Sequence, residues 1–287
     1  MLNYLILFIQ QFFAGSTPVV AKSLAMTIDP TLALLLRGAV SAAVYAVIVA
    51  VLWKKAPKIS AREWAIFVLL GVLCIPMNQL LYFIACKYTA PPNVALAYAL
   101  VPAFVLVMEI IFLKVKATRL KLVGVGVAVI GTVVIYAENG IDLGSEMFVG
   151  NILGLIAAMS WAVYTIVGKK IIQKYGAFFT TGMAIILGFL VYVPIFALIG
   201  DTATYSAVDA AAWGKIAYMA IVLSVISYGV WYVMLRRMDA SKVSVFNNLQ
   251  PVITPILTAI FLTFTPTPQF VVGAVTVITG VIMTQRG

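Results

Sequence analysis

The chain has 287 residues, 64% of them hydrophobic and 10% charged, with a net charge of +10 and a mean hydropathy of +1.12. So few charges, against about 25% in an ordinary soluble domain, exclude a water-soluble surface and leave an all-α integral membrane protein. Histidine is absent, which removes imidazole metal sites and Ser-His triads.

A spanning helix needs about 20 mostly apolar residues. Ten such segments follow one another, here numbered 1 to 10: roughly 2–22, 31–52, 64–86, 92–113, 120–137, 148–169, 177–199, 212–235, 242–264 and 268–285. The first apolar run, Leu2 to Val20, is too long for a signal-peptide core. Breaks between segments are short, at Asp29-Pro30, Lys54–Arg62, Pro91-Pro92 and Lys114–Lys121, with the longest at Glu138–Met147. Cys74 and Cys86 lie twelve residues apart in segment 3, ~18 Å along a helix, so they cannot pair within it and read as small core residues.

Cytoplasmic loops retain an excess of Lys and Arg. With the N-terminus inside, the inner loops hold Lys54, Lys55, Lys58, Arg62, Lys114, Lys116, Arg119, Lys121, Lys169, Lys170, Lys174, Arg236, Arg237, Lys242 and Arg286. The outer loops hold Lys22, Lys87 and Lys215, and Arg37 falls within segment 2. Both termini are therefore expected to be cytoplasmic. The basic excess is a topology signal and an attraction to anionic lipid, not a nucleic-acid patch. The expected setting is multi-pass in the cell (inner or plasma) membrane.

The chain also repeats itself. Shifted by 149 positions, Val94–Gly131 lies without a gap on Val243–Gly280, matching Pro102 to Pro251, Thr118 to Thr267, Gly124 to Gly273 and Gly131 to Gly280. Upstream, Trp64 falls on Trp213, Tyr82 on Trp231 and Phe83 on Tyr232. One residue out of that register, Ala14, Thr17 and Lys22 fall on Ala162, Thr165 and Lys170. The halves are 1–137 and 148–287. Each holds five segments, an odd number, so the second must be inverted relative to the first. Inverted repeats are the architecture of many secondary transporters, with substrate near the midplane between them.

Several stretches resemble the EamA group of the drug/metabolite transporter superfamily: Arg37-Gly38, Val94–Pro102 with Val243–Pro251, and Ile111-Phe112-Leu113 followed by Thr118, Gly124 and Gly131, with the parallel run in segments 9 and 10. Asn78-Gln79-Leu80-Leu81-Tyr82 with Lys87-Tyr88-Thr89 resembles the subgroup of amino-acid exporters and plant WAT1-like proteins. The family often has Gly-Glu after the Phe-Leu closing segment 4. Lys114-Val115 stands there instead, so no role of that Glu transfers. The resemblance implies export of small metabolites, commonly amino acids or related compounds. A multidrug or cationic-compound exporter is the alternative.

The residues suited to transport fall in the spans. Pro102 and Pro251 sit near the bilayer middle, and each removes the hydrogen bond to the carbonyl four residues earlier, that of Tyr98 or Asn247. A substrate cradle of freed carbonyls beside those side chains stands against a packed proline kink. Asn247, Gln250 and Thr254 share one face of segment 9 and are expected to point inward as cavity lining or as interhelical bonds of ~0.6 kcal/mol each. Gln79 and Tyr82 lie in the outer half of segment 3, and their counterparts Tyr228 and Trp231 in the inner half of segment 8, which suits two alternating gates. Trp161 and Tyr164 are weaker candidates for the inner side. Arg37 lies ~9 Å below the outer end of segment 2. Burying it at the centre costs ~2.5–3.5 kcal/mol. It reads either as a snorkelling or carbonyl-capping side chain or as a guanidinium fork for a substrate carboxylate. Glu109, near the inner end of segment 4, reads as a proton-coupling carboxylate or as a partner of inner-loop cations.

Gly124, Gly131, Gly273 and Gly280 read as close-packing points, and segments 5 and 10 as a candidate homodimer surface. No Walker motif, intramembrane aspartate pair or cofactor fingerprint supports an enzyme, and no acidic ring or filter-like loop supports a channel. The expected partners are a small-molecule substrate and the bilayer.

Overall fold

The computed structural model describes residues 2–113, 118–137 and 144–286. Its described residues form ten helical segments: α1 (Leu2–Ala25), α2 (Pro30–Trp53), α3 (Ala61–Tyr88), α4 (Pro91–Ile111), α5 (Arg119–Tyr136), α6 (Glu146–Tyr175), α7 (Ala177–Ile199), α8 (Ala210–Arg237), α9 (Lys242–Phe261) and the shorter α10 (Pro268–Thr284). These are the ten helices of a two-repeat fold, with no strand among the described residues. Large apolar side chains such as Phe8, Val51, Ile130, Leu198 and Phe261 face outward, as a hydrocarbon solvent allows.

Polar side chains start several of the helices. Ser60 caps α3 in a reciprocal box with Glu63, and the aligned position in the second repeat, Asp209, caps α8 through the Ala212 N–H at 2.7 Å. Thr118 and Thr267 explain their own match, since Thr118 Oγ1 accepts from the Lys121 N–H and Thr267 Oγ1 from the Phe270 N–H at the starts of α5 and α10. Helix α6 runs further than its apolar stretch predicts, carrying Lys169, Lys170 and Lys174 on helix rather than loop. It stops where Gly176, at φ 82°, takes a conformation that side chains disfavour.

The two repeats are interleaved. Helix α1 packs on α9 and, by the same relation, α6 on α4; α2 packs on α8, and α7 on α3; α2 meets α7, and α5 meets α10. Each of these pairings is matched by its image under exchange of the halves. The α5–α10 seam is built from the repeated glycines: a Cβ on Gly124 would lie 2.6 Å from the Gly280 carbonyl, and one on Gly131 2.8 Å from the Gly273 carbonyl. The glycine faces are thus spent on each other. Around them Leu96, Ala128, Ile135, Val277 and Val281 form a small core separate from the main one.

Four helices are irregular. Helix α3 has a π-helical stretch at Ile75–Leu80 and α8 one at Tyr218–Ser227, overlapping under the 149-residue shift. Helix α4 breaks at Leu100, and α9 opens with a 3₁₀ stretch at Val245–Leu249. The π-stretch of α3 contains Pro76, which has no N–H to give. That of α8 contains no proline. There the Ser224 hydroxyl donates to the Met219 carbonyl at 3.2 Å, and the Tyr45 hydroxyl of α2 to the Val225 carbonyl at 2.8 Å.

Candidate functional site

All four irregular stretches border one cavity between the repeats. Helix α1 contributes Gln10, Gln11, Ala14 and Thr17; α2, Arg37; α3, Asn78, Gln79 and Tyr82; and α4, Tyr98. From the second repeat come Trp161 of α6, Leu223, Ser227, Tyr228 and Trp231 of α8, and Asn247 and Gln250 of α9. The free space is narrow, about 50 Å³, where one water takes about 10–15 Å³ by the same measure. A metabolite therefore needs the walls to part.

The eight side chains singled out from the sequence, Arg37, Gln79, Tyr82, Tyr98, Tyr228, Trp231, Asn247 and Gln250, line this cavity together. Tyr82 and Tyr98 of the first repeat meet edge to face at 5.5 Å. In the second repeat Trp161 lies 4.6 Å from Tyr228 and 5.7 Å from Trp231. Tyr164 stacks on Trp161 at 5.2 Å and on Tyr232 at 4.8 Å, behind the wall.

Arg37 neither snorkels nor caps a carbonyl. It is 1% exposed, its Nε donates to Ser224 Oγ at 3.0 Å, and its guanidinium lies 5.7 Å from the Phe83 ring centre. Its Nη2 has no hydrogen-bond partner, and among the described residues no Asp or Glu lines the cavity. In the other repeat the aligned residue is isoleucine in either register, Ile185 or Ile186. The site therefore holds one uncompensated cation, on one side of a symmetric scaffold.

Glutamine and asparagine amides supply much of the remaining polar surface, beside the hydroxyls of Thr17, Ser227 and the tyrosines. Gln250 Nε2 donates to Gln11 Oε1 at 3.0 Å and to Asn247 Oδ1 at 3.3 Å, and Gln11 Nε2 donates to Asn247 Oδ1 at 3.0 Å. This triad ties α1 to α9. Gln10 Nε2 donates to Ser227 Oγ at 2.8 Å, and Asn78 Nδ2 to the Tyr98 hydroxyl at 2.5 Å.

At three places the structure favours one of the two readings that the sequence leaves open. Thr254 is buried but does not line the cavity; its hydroxyl donates to the Gly15 carbonyl at 2.7 Å, an α9–α1 bond. The carbonyls released by Pro102 and Pro251 are not left bare, because tight turns reuse them: the Leu100 N–H turns back to Ala97 and Tyr98, and the Gln250 N–H to Asn247. Both prolines are buried, and what they produce is the breaks that bring Tyr98 and Asn247 to the cavity wall. Glu109 stands outside the cavity, half-buried, with Lys169, Asp239 and Lys121 as the neighbouring charges. The Lys114-Val115 departure lies outside the described residues. Sequence reasoning passed over Gln10 and Gln11, although two adjacent amides in an apolar span are themselves a signal.

Known proteins are similar to this chain over most of its length. The transporter YyaM of Bacillus subtilis (strain 168), named as uncharacterized, is 29% identical over 283 residues, 97% of this chain and 92% of its own. An uncharacterized transporter of Archaeoglobus fulgidus is 26% identical over 294 residues, 100% of this chain and 99% of its own. A Salmonella typhimurium (strain LT2) protein named "Probable amino-acid metabolite efflux pump" is 26% identical over 219 residues, 72% of each chain. A crystal structure 16% identical in sequence shares the fold, with a TM-score of 0.69 over 96% of this chain and 94% of that one. The pattern of one family, the EamA-like transporters, matches residues 1–137 and then again 148–286. The chain belongs to the EamA-like transporter family.

Proposed function

We propose that this transporter exports amino acids or closely related carboxylates across the cell (inner or plasma) membrane, both termini cytoplasmic, by alternating access between its halves, 1–137 and 148–287. One observation carries the substrate reading: Arg37 is fully buried, faces a cavity with no acidic side chain among the described residues and keeps Nη2 unpartnered. A buried guanidinium without a counter-ion is costly, and its planar fork matches a carboxylate in two-point geometry. An organic cation would meet the same charge with nothing to neutralise either, so the site argues against the multidrug alternative. The relative named for amino-acid metabolite efflux supports the same direction. Aromatic clusters from each repeat, Tyr82 with Tyr98 and Trp161 with Tyr228 and Trp231, suit closure on alternate sides of a substrate held between them.

The test is thermal stabilisation of purified protein by amino acids, their decarboxylated amines and cationic drugs, in wild type and Arg37→Ala. A ligand that binds the folded state raises its apparent stability by mass action. Amino acids are expected to stabilise wild type, and Arg37→Ala to weaken them at least about tenfold, roughly 1.4 kcal/mol. Amines and cationic drugs are expected to do nothing. Equal stabilisation of both proteins by cationic drugs would overturn the reading.

A further inference from the structure

Arg37 Nη2 is not the only unpaired polar atom facing this cavity. Gln10 Oε1, Gln79 Oε1 and Asn247 Nδ2 are also buried without partners, on side chains that are 6%, 1% and 2% exposed. Leaving such atoms without any partner is unfavourable, and native interiors rarely do it. Together they make two donors and two acceptors.

The four sort by depth. Arg37 lies seven residues in from the outer start of α2, ~11 Å, and Gln79 nine residues from the outer end of α3, ~14 Å. Gln10 lies eight residues from the inner start of α1, ~12 Å, and Asn247 five from the inner start of α9, ~8 Å. Each half of the membrane thus holds one donor and one acceptor. The outer pair is charged and the inner pair is neutral.

The inner pair is held in place. Gln11 Nε2 and Gln250 Nε2 both donate to Asn247 Oδ1, which commits that oxygen and turns Nδ2 towards the cavity. Gln10 gives its own N–H to Ser227 Oγ, which leaves Oε1 as the free acceptor. Donor and acceptor come from different helices, α9 and α1, so a group satisfying both must present an acceptor and an N–H or O–H donor in separate directions. A carboxamide does this with two separate atoms, whereas a hydroxyl must use one. A carboxylate has no N–H for Gln10, an ammonium has no acceptor for Asn247, and an alkyl chain has neither.

We infer that Gln10 and Asn247 form a second, neutral subsite that reads the far end of the substrate, and that it selects amino acids whose side chain ends in a carboxamide. This rests on the proposal that Arg37 takes the α-carboxylate. The α-ammonium then falls to Gln79 Oε1 in the outer half, and the side-chain amide to Gln10 and Asn247 in the inner half.

The experiment measures affinities of L-glutamine, L-asparagine, L-glutamate and L-methionine for full-length protein in lipid nanodiscs, by calorimetry. Wild type, Gln10→Met, Asn247→Leu and Arg37→Ala are compared, each first shown to melt cooperatively. Wild type is expected to bind glutamine or asparagine about tenfold or more tighter than methionine, because a site built to hydrogen-bond a group rejects the analogue lacking it. That ratio is expected to fall to near one in Gln10→Met, which leaves the Gln11–Asn247–Gln250 bonds untouched, and in Asn247→Leu if it folds. Arg37→Ala is expected to lose all four ligands. Equal binding of glutamine and methionine by wild type, or a ratio unchanged in Gln10→Met, overturns the carboxamide subsite while Arg37-dependent binding still stands. If wild type binds none of the four, the amino-acid reading itself falls, and the subsite with it.

Discussion

Arg37 and Ser224 are joined by a 3.0 Å hydrogen bond that runs from α2 of one repeat into the π-helical stretch of α8 in the other. Ser224 is fully buried, and its hydroxyl also serves the Met219 carbonyl. Ser224→Ala strips a second N–H of the guanidinium of its partner in a dry setting, at about 1–3 kcal/mol. The ligand-free melting temperature is expected to drop, while amino-acid stabilisation persists, since Nη2 is unchanged. Melts with and without ligand separate this from loss of the site.

Gly168 of α6 faces Tyr232, and a Cβ there would run into the Tyr232 hydroxyl. The ring has nowhere to go, because it stacks on Tyr164 at 4.8 Å and donates to that residue's carbonyl at 3.1 Å. Gly168→Ala is expected to cost about 1–3 kcal/mol as overpacking. Tyr232→Ala in the same chain removes the clash, so a double-mutant cycle should return a coupling of similar size.

The α5–α10 seam allows an internal control. A Cβ on Gly131 would sit 2.6 Å from the Val277 backbone nitrogen, whereas one on Gly126 meets nothing within 4 Å. Gly131→Ala is expected to lower the melting temperature by forcing the helices apart. Gly126→Ala is expected to leave stability unchanged or raise it by up to about 1 kcal/mol through helix propensity. Equal effects would mean that the helices do not meet along the glycines.

Glu109 lies near the inner end of α4, off the cavity. Glu109→Gln in proteoliposomes is expected to preserve substrate counterflow, which needs only binding and the change of access. If the carboxylate couples transport to protons, accumulation driven by a pH gradient is lost in the same variant. Loss of counterflow as well would place Glu109 in the binding machinery.

The sequence shows the helices and the repeat plainly, because bilayer length and apolar runs leave few alternatives, and the duplicated Pro, Thr and Gly each turned out to hold a backbone feature: a break, a cap or a close approach. Polar and aromatic side chains in apolar spans led to eight cavity residues for the same reason, since lipid rejects them. Gln10 and Gln11 escaped the repeat argument because Ala158 and Met159 stand opposite them. The π-stretch of α8 was hidden more deeply. No proline or glycine marks its start, and it is met by Arg37 and Tyr45 from a helix nearly two hundred residues earlier in the chain. For Thr254 the sequence leaves cavity lining and interhelical bonding both open, because spacing fixes a face but not which neighbour that face meets.

Arg37 facing isoleucine in the other repeat has an energetic consequence. Exchanging the roles of the halves interconverts shapes that a symmetric backbone would make equal in free energy, yet the fixed positive charge stays with the first repeat. In the alternating cycle we propose, the inward- and outward-open forms are therefore not mirror images electrically. Water reaching Arg37 hydrates it in whichever form opens on its side, which biases the empty carrier towards that form.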